Sequence, residues 1–227
     1  MTEKRHALLA LLLLVPAPSI GTWMVMVAAE GTMLGKAVFG ASKIWVLVLP
    51  VVWLMLVDRK RPTIPRPVAR GMGAACLTGA IIFVSIGGAY LLFGRMLIDA
   101  ESMRLHADEV ELTTPRIYLL GAAYWITINS LLEEYVWRWF VVTRCEVLMP
   151  RLAAVAVSGF FFTLHHIIAL DFYFDWRVTI LGSIGVFIGG ATWSWLYLRY
   201  RNIWAAYVSH VFADVVIFAI GYQLLFM

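Results

Sequence analysis

Seven ionisable side chains stand where a chain of this kind should carry none. Leu131-Leu132-Glu133-Glu134-Tyr135-Val136-Trp137-Arg138, Phe160-Phe161-Phe162-Thr163-Leu164-His165-His166 and Ser209-His210-Val211-Phe212-Ala213-Asp214 are otherwise strongly apolar stretches. A carboxylate in such surroundings is expensive unless it turns towards a partner, and it then marks a pathway, a relay or a catalytic site. Glu134 and Arg138 are four residues apart, so on a helix they stack on one face and can pair. Glu133 lies about 100° further round, free to face a cavity as a general base for water. His210 and Asp214 share the same four-residue spacing, so the carboxylate can orient or polarise the imidazole. The chemistry these types and spacings allow is water activation by a carboxylate, assisted by imidazoles and held by an ion pair.

The elements that position them are membrane helices. The chain has 227 residues, of which 62% are hydrophobic and 14% charged, against roughly 25% charged in a soluble domain. A hydrocarbon core of about 30 Å needs roughly 20 apolar residues in a helix. Seven stretches qualify, at 7–29, 37–57, 71–94, 116–143, 151–170, 178–198 and 203–225. None alternates as a strand would, and lipid requires internally bonded backbone. The fold class expected is all-α, a polytopic bundle of about seven transmembrane helices. The first span holds Pro16 and Pro18, and Lys4-Arg5-His6 ahead of it could open a signal peptide. Its apolar run continues through Trp23-Met24-Val25-Met26-Val27, too long for that, so a retained helix is expected.

With the N-terminus inside, cytoplasmic segments hold Lys4, Arg5, Arg59, Lys60, Arg61, Arg66, Arg70, Arg144, Arg151, Arg199 and Arg201. The opposite side holds Lys36, Arg95, Arg104, Arg116 and Arg177. This asymmetry gives an N-in, C-out orientation and a multi-pass protein of the cell membrane. The basic run from Arg59 to Arg66 reads as a topology determinant beside anionic lipid, and no nucleic-acid partner is needed to explain the net charge of +4. The polar stretch 95–115 reads as a solvated connector, with a short surface helix or lid as the alternative. Two parts of one integrated membrane domain are expected, 1–115 with the N-terminal helices and polar loop, and 116–227 with the chemistry. The first three spans hold only Lys43, read as snorkelling to the interface.

At about 1.5 Å per residue, Glu133 and His166 lie roughly 15 and 20 Å from the cytoplasmic ends of their spans, and His210 roughly 10 Å, depths that allow one shared site. A zinc motif of the HExxH kind and a Gly-x-Ser-x-Gly run are both missing. No metal cofactor is expected. The alternative is zinc held by Glu133, His166 and His210, a chemically plausible set. Two other functions fit the charges: a proton-coupled transporter with Glu133, His166 and His210 as a relay, or a non-catalytic immunity or scaffold protein.

Glu133-Glu134-x-x-x-Arg138, Phe162-x-x-x-His166 and His210-x-x-x-Asp214, in this order and each in a membrane span, resemble the three motifs of the CPBP family. That family comprises type II CAAX prenyl endopeptidases, bacteriocin-processing enzymes and Abi-type membrane proteins. Gly185-Val-Phe-Ile-Gly-Gly190 and Asn202-Ile-Trp-Ala-Ala-Tyr-Val-Ser-His210 resemble the family's stretch between its second and third motifs. The resemblance covers roughly 116–216. It implies a glutamate-type intramembrane endopeptidase acting on a membrane-associated protein or peptide near its end, with the lipid bilayer as surroundings. In that scheme Glu133 activates the water, His166 positions it, His210 stabilises the oxyanion, and Glu134 with Arg138 holds the site together. The family often has Asn where this chain has Asp214; an ionised carboxylate cannot donate, which moves Asp214 towards orienting His210. Phe161-x-x-x-His165 fits the second motif too, but Phe162-Thr-Leu-His-His-Ile favours His166. His165 and Phe162 are then candidates to line a substrate-binding cavity.

Overall fold

The structure, a computed structural model, describes residues 2–61, 66–109 and 114–227. Among them every regular element is helical. Two expectations fall partly outside the described residues: the basic loop at 62–65 and the polar stretch at 110–113. The helices are α1 (Glu3–Ala28), α2 (Met33–Leu56), α3 (Met72–Gly94), α4 (Ala100–Glu109), α5 (115–148), α6 (Arg151–Tyr173), α7 (Trp176–Tyr200) and α8 (Ile203–Phe226).

Side chains at the helix starts satisfy backbone donors that would otherwise be orphaned. Thr32 accepts from the Gly35 amide at 3.2 Å, and Asp175 accepts from the amides of Arg177 and Val178. Thr114 precedes Pro115 and accepts from the Ile117 amide. The α7–α8 turn passes through Arg201 in a left-handed conformation. Asn202 caps α8 through its oxygen and donates from Nδ2 to the carbonyls of Val68 and Arg70. One amide thereby ties α8 to the segment leading into α3. Part of the polar connector is the short helix α4, from which Arg104 Nε donates to the Leu224 carbonyl of α8 at 3.1 Å.

Six of the described helices, α1–α3 and α6–α8, are long and apolar enough to cross a membrane. They coincide with six of the seven stretches expected. The remaining stretch, 116–143, lies in α5, which runs unbroken but in changing geometry. It has π turns at Trp125–Asn129 and Glu134–Val141 around a single α turn at Ser130–Glu133. Large apolar side chains such as Leu34, Ile44, Leu77, Val84, Leu91, Ile180 and Ile184 point outwards. Exposure on that scale is tolerable only where the solvent is itself apolar.

Helices approach closely where glycine removes the side chain. At Gly159 of α6 a Cβ would meet the Ala191 backbone nitrogen at 2.9 Å, and at Gly79 of α3 it would meet the Phe212 ring at 2.8 Å. Gly190 lies against Phe162 and Gly159, so the glycine-rich stretch of α7 serves to bring α7 onto α6. The core runs from Ala10, Leu11 and Leu14 of α1 through Val136, Trp137, Phe140 and Val141 of α5 to Phe162, Trp193 and Ala213. The helix begun by the first span is thus packed into the interior, despite its two prolines.

Candidate active site

α5 carries the densest charge, and its second π turn begins at Glu134. A π turn admits an extra residue into the turn, re-aiming the side chains that follow. Glu134 and Arg138 are both fully buried. Arg138 Nε lies 3.3 Å from Glu134 Oε2, so the pair expected from the four-residue spacing forms. The guanidinium sits between two rings, with Cζ 4.5 Å from the Phe162 centroid and 5.0 Å from that of Trp193. Its Nη2 reaches the Gly190 carbonyl at 3.5 Å. Cation–ring contacts of this kind gain strength when desolvated.

The other oxygen of Glu134 reaches across to α8, where His210 Nδ1 stands 2.9 Å from Oε1. The His210 ring is stacked on Trp193, 3.8 Å between centroids and 17° from parallel, and Trp193 Nε1 donates to Ser209 Oγ at 3.2 Å. The stacking fixes the plane of the ring, and the contact with Glu134 sets which nitrogen faces α5. Nε2 then points towards Glu133 Oε2 at 3.8 Å and Asp214 Oδ1 at 3.6 Å. Asp214 stands beside Nε2 as the four-residue spacing expects, and the closer contact, at Nδ1, comes from Glu134 on another helix. Asp214 is itself held by a hydrogen bond from Ser130 Oγ.

Glu133 faces open space. Its Oε1 accepts from Asn129 Nδ2 at 2.8 Å, one turn earlier on α5. The carboxylate lines a cavity of about 190 Å³ between α1, α2, α5 and α6, whose walls include Phe39, Lys43, Val46, Leu47, Trp125, Asn129, Trp137 and His165. At roughly 30 Å³ per water, that volume holds several waters or a small side chain. Lys43 lies midway along α2 and reaches Asn129 Oδ1 at 3.5 Å. Snorkelling is therefore corrected: the ammonium turns inwards, next to the rings of Phe39 and Trp125.

The two histidines of α6 sit differently. His166 Nδ1 is 2.9 Å from the Phe162 carbonyl. A carbonyl only accepts, so Nδ1 carries the proton and Nε2 is left as an acceptor. His165 lines the cavity, its ring 7° from parallel to Trp137, and its Nδ1 is buried without a hydrogen-bond partner among the described residues. Phe162, 2% exposed, lies beneath Arg138, His166 and Trp193 and is not among the residues lining the cavity. Among the described residues, those whose ligand atoms gather within 4.8 Å are Glu133, His165 and His166. A carboxylate and two imidazoles are a donor set that zinc accepts.

Sequence reasoning missed Asn129, Ser130 and the bracing role of Trp193, and placed Lys43 at the interface instead of in the cavity. Asn129 and Ser130 precede Glu133 and Glu134 by one turn, a spacing that could have drawn attention to them. The whole constellation, from α5 to the middle of α8, falls within one recognisable segment. Residues 115–216 match the family model described as type II CAAX prenyl endopeptidase, Rce1-like. This segment belongs to the CPBP family. Neither the curated proteins nor the solved structures give a match. The protein is accordingly a multi-pass membrane protein with a segment that matches a CAAX-endopeptidase family model, and α1 and α2, which precede that segment, wall the cavity in front of Glu133.

Proposed function

We propose that the protein is an intramembrane endopeptidase of the cell membrane in which Glu133 activates the hydrolytic water. The observation that carries this reading is the position of Glu133, one carboxylate oxygen held by Asn129, at a cavity among membrane-capable helices. Water bound at Glu133 gives up a proton to the carboxylate and attacks the scissile carbonyl carbon. The unprotonated His166 Nε2 is an acceptor suited to orient that water. Charge develops on the carbonyl oxygen, and His210 Nε2–H is the donor proposed to meet it. Glu134 accepts from Nδ1–H, so in the imidazolium form both nitrogens donate. The proton on Glu133 passes to the leaving amine as the C–N bond breaks, and the carboxylate is regenerated. Arg138 neutralises Glu134 and keeps the supporting shell in place.

No metal enters this scheme. Were zinc to bind Glu133, His165 and His166, it would supply Lewis-acid polarisation of the water. The test is hydrolysis of a pooled set of C-terminal peptides, lipidated and unlipidated, by protein reconstituted in lipid vesicles. Cleavage at discrete internal bonds that survives exhaustive chelation is expected; loss on chelation with recovery on adding zinc would assign a metal to the three-residue cluster. His166→Ala should lower the rate about 10²- to 10³-fold, within the range of a lost acid–base group, and His165→Ala less than about ten-fold. The reverse order would give the second-motif role to His165.

A further inference from the structure

A buried indole N–H needs an acceptor, and the one that Trp193 finds opens a chain of hydroxyls across the bundle. Trp193 of α7 is buried and donates from Nε1 to Ser209 Oγ of α8 at 3.2 Å. Ser209 is fully buried, and its Oγ stands 3.0 Å from Thr78 Oγ1 of α3. Thr78 Oγ1 donates in turn to the Ala74 carbonyl at 2.8 Å, one turn back on its own helix. The direction of each bond follows from what the groups can do. An indole N–H only donates and a carbonyl only accepts, so Thr78 gives its proton to the backbone and takes that of Ser209. Small residues make room for the chain. At Gly79 of α3 a Cβ would meet the Phe212 ring of α8, and at Gly189 of α7 one would lie 3.2 Å from Trp193 Cη2.

Resting on the endopeptidase reading, we propose that Thr78 and Ser209 are positioning residues for His210, acting through the Trp193 ring. Neither is on the wall of the cavity that Glu133 lines. The Trp193 ring lies against the imidazole, 3.8 Å between centroids and 17° from parallel, and 5.0 Å from Arg138 Cζ. One ring thus bears on the donor proposed for the oxyanion and on the cation that balances Glu134. Stacking holds two rings face to face but leaves them free to slide; the bond from Nε1 to Ser209 pins one edge of the indole. Thr78 anchors that pin on α3, outside the matched segment 115–216. A buried donor without an acceptor is costly, so cutting the chain sends the indole towards another partner, and the stacked imidazole shifts with it. The charge that His210 is to meet exists only in the transition state, so turnover falls while substrate binding holds.

The experiment uses the full chain in detergent micelles, isotope-labelled at the tryptophan indole and histidine ring nitrogens for NMR, alongside peptide hydrolysis. Trp193→Phe and His210→Gln assign the two resonances of interest. Thr78→Val, which keeps the branched shape, should shift the Trp193 indole and the His210 ring signals. It should lower kcat about ten-fold with KM within about two-fold, the pattern of an interaction made only in the transition state. Thr78→Ser, which keeps the hydroxyl, should restore the signals and the rate. In Trp193→Phe, where a ring remains but the donor is gone, adding Thr78→Val should cost less than about two-fold more, because coupled positions do not add. Should Thr78→Val fail to fold, Ser209→Ala carries the same readings. Unmoved His210 signals overturn the assignment, as does full kcat where the wild type cleaves. A loss that Thr78→Ser does not restore, or that persists undiminished in Trp193→Phe, overturns it too, since separate packing defects would act that way. If the signals move as expected but wild-type protein cleaves no peptide, the hydrolase reading fails and the positioning of His210 stands.

Discussion

Glu133→Gln is expected to reduce peptide hydrolysis by at least about 10³-fold while leaving the folded protein as stable as wild type. The substitution keeps the size of the side chain and its ability to accept from Asn129 Nδ2, which now bonds Oε1, and removes only the capacity to take a proton. Loss of a positioned acid–base group typically costs 10²- to 10⁴-fold. Here the same carboxylate both activates the water and returns the proton to the leaving amine, so the upper part of that range applies. The paired measurement is the initial rate on a cleaved peptide and the thermal unfolding midpoint in the same detergent. A variant that retains more than a tenth of the activity would remove Glu133 from the role of base. A large fall in the midpoint would show instead that Glu133 is mainly structural.

Arg138→Met should have the largest effect on stability, about 3–5 kcal/mol, because deleting one member of a buried pair leaves the other charge uncompensated. Glu134 and Arg138 have no solvent exposure, and Glu134 also meets His210 Nδ1. The same change opens space between Phe162 and Trp193, which now sandwich the guanidinium. Replacing both members, as Glu134→Leu with Arg138→Met, should recover much of the lost stability, since a well-packed apolar pair avoids the desolvation penalty. It should not recover activity, because His210 would lose its Nδ1 partner. Unfolding midpoints of the single and double variants, read against peptide hydrolysis, check this. A single variant within about 1 kcal/mol of wild type would mean that the pair contributes little to holding the bundle together.

Why some of the site was legible in the sequence and some was not follows from how each residue is held. Glu133, Glu134, Arg138, His165, His166, His210 and Asp214 announced themselves because charge and imidazole are costly in apolar spans. The Glu134–Arg138 pair was legible because it is local, four residues apart on one helix. The contact between Glu134 and His210 was not, since it joins α5 to α8 and depends on the Trp193 ring beneath the imidazole. Lys43 was misread because a lysine has a reach that normally takes it to the interface; only the packing of α2 against α5 shows it turned to Asn129. Hydropathy also could not reveal the π turns of α5, since they change direction without changing composition. Six apolar helices were legible for the converse reason: their burial is set by lipid and needs no particular partner.

The division expected near residue 115 separates the sequence more cleanly than it separates the site. α5 to α8 hold Glu133, the imidazoles and the ion pair, while α1 and α2 supply Pro18, Thr22, Phe39, Ser42 and Lys43 to the cavity in front of Glu133.

The most direct measurement compares the termini of all proteins in native membranes carrying wild-type protein with those in membranes carrying Glu133→Ala, at equal levels of the two forms. The account predicts that a discrete set of new termini is present with wild type and disappears in the variant. Identical sets of termini, under conditions where the protein is required, would contradict hydrolysis as its function.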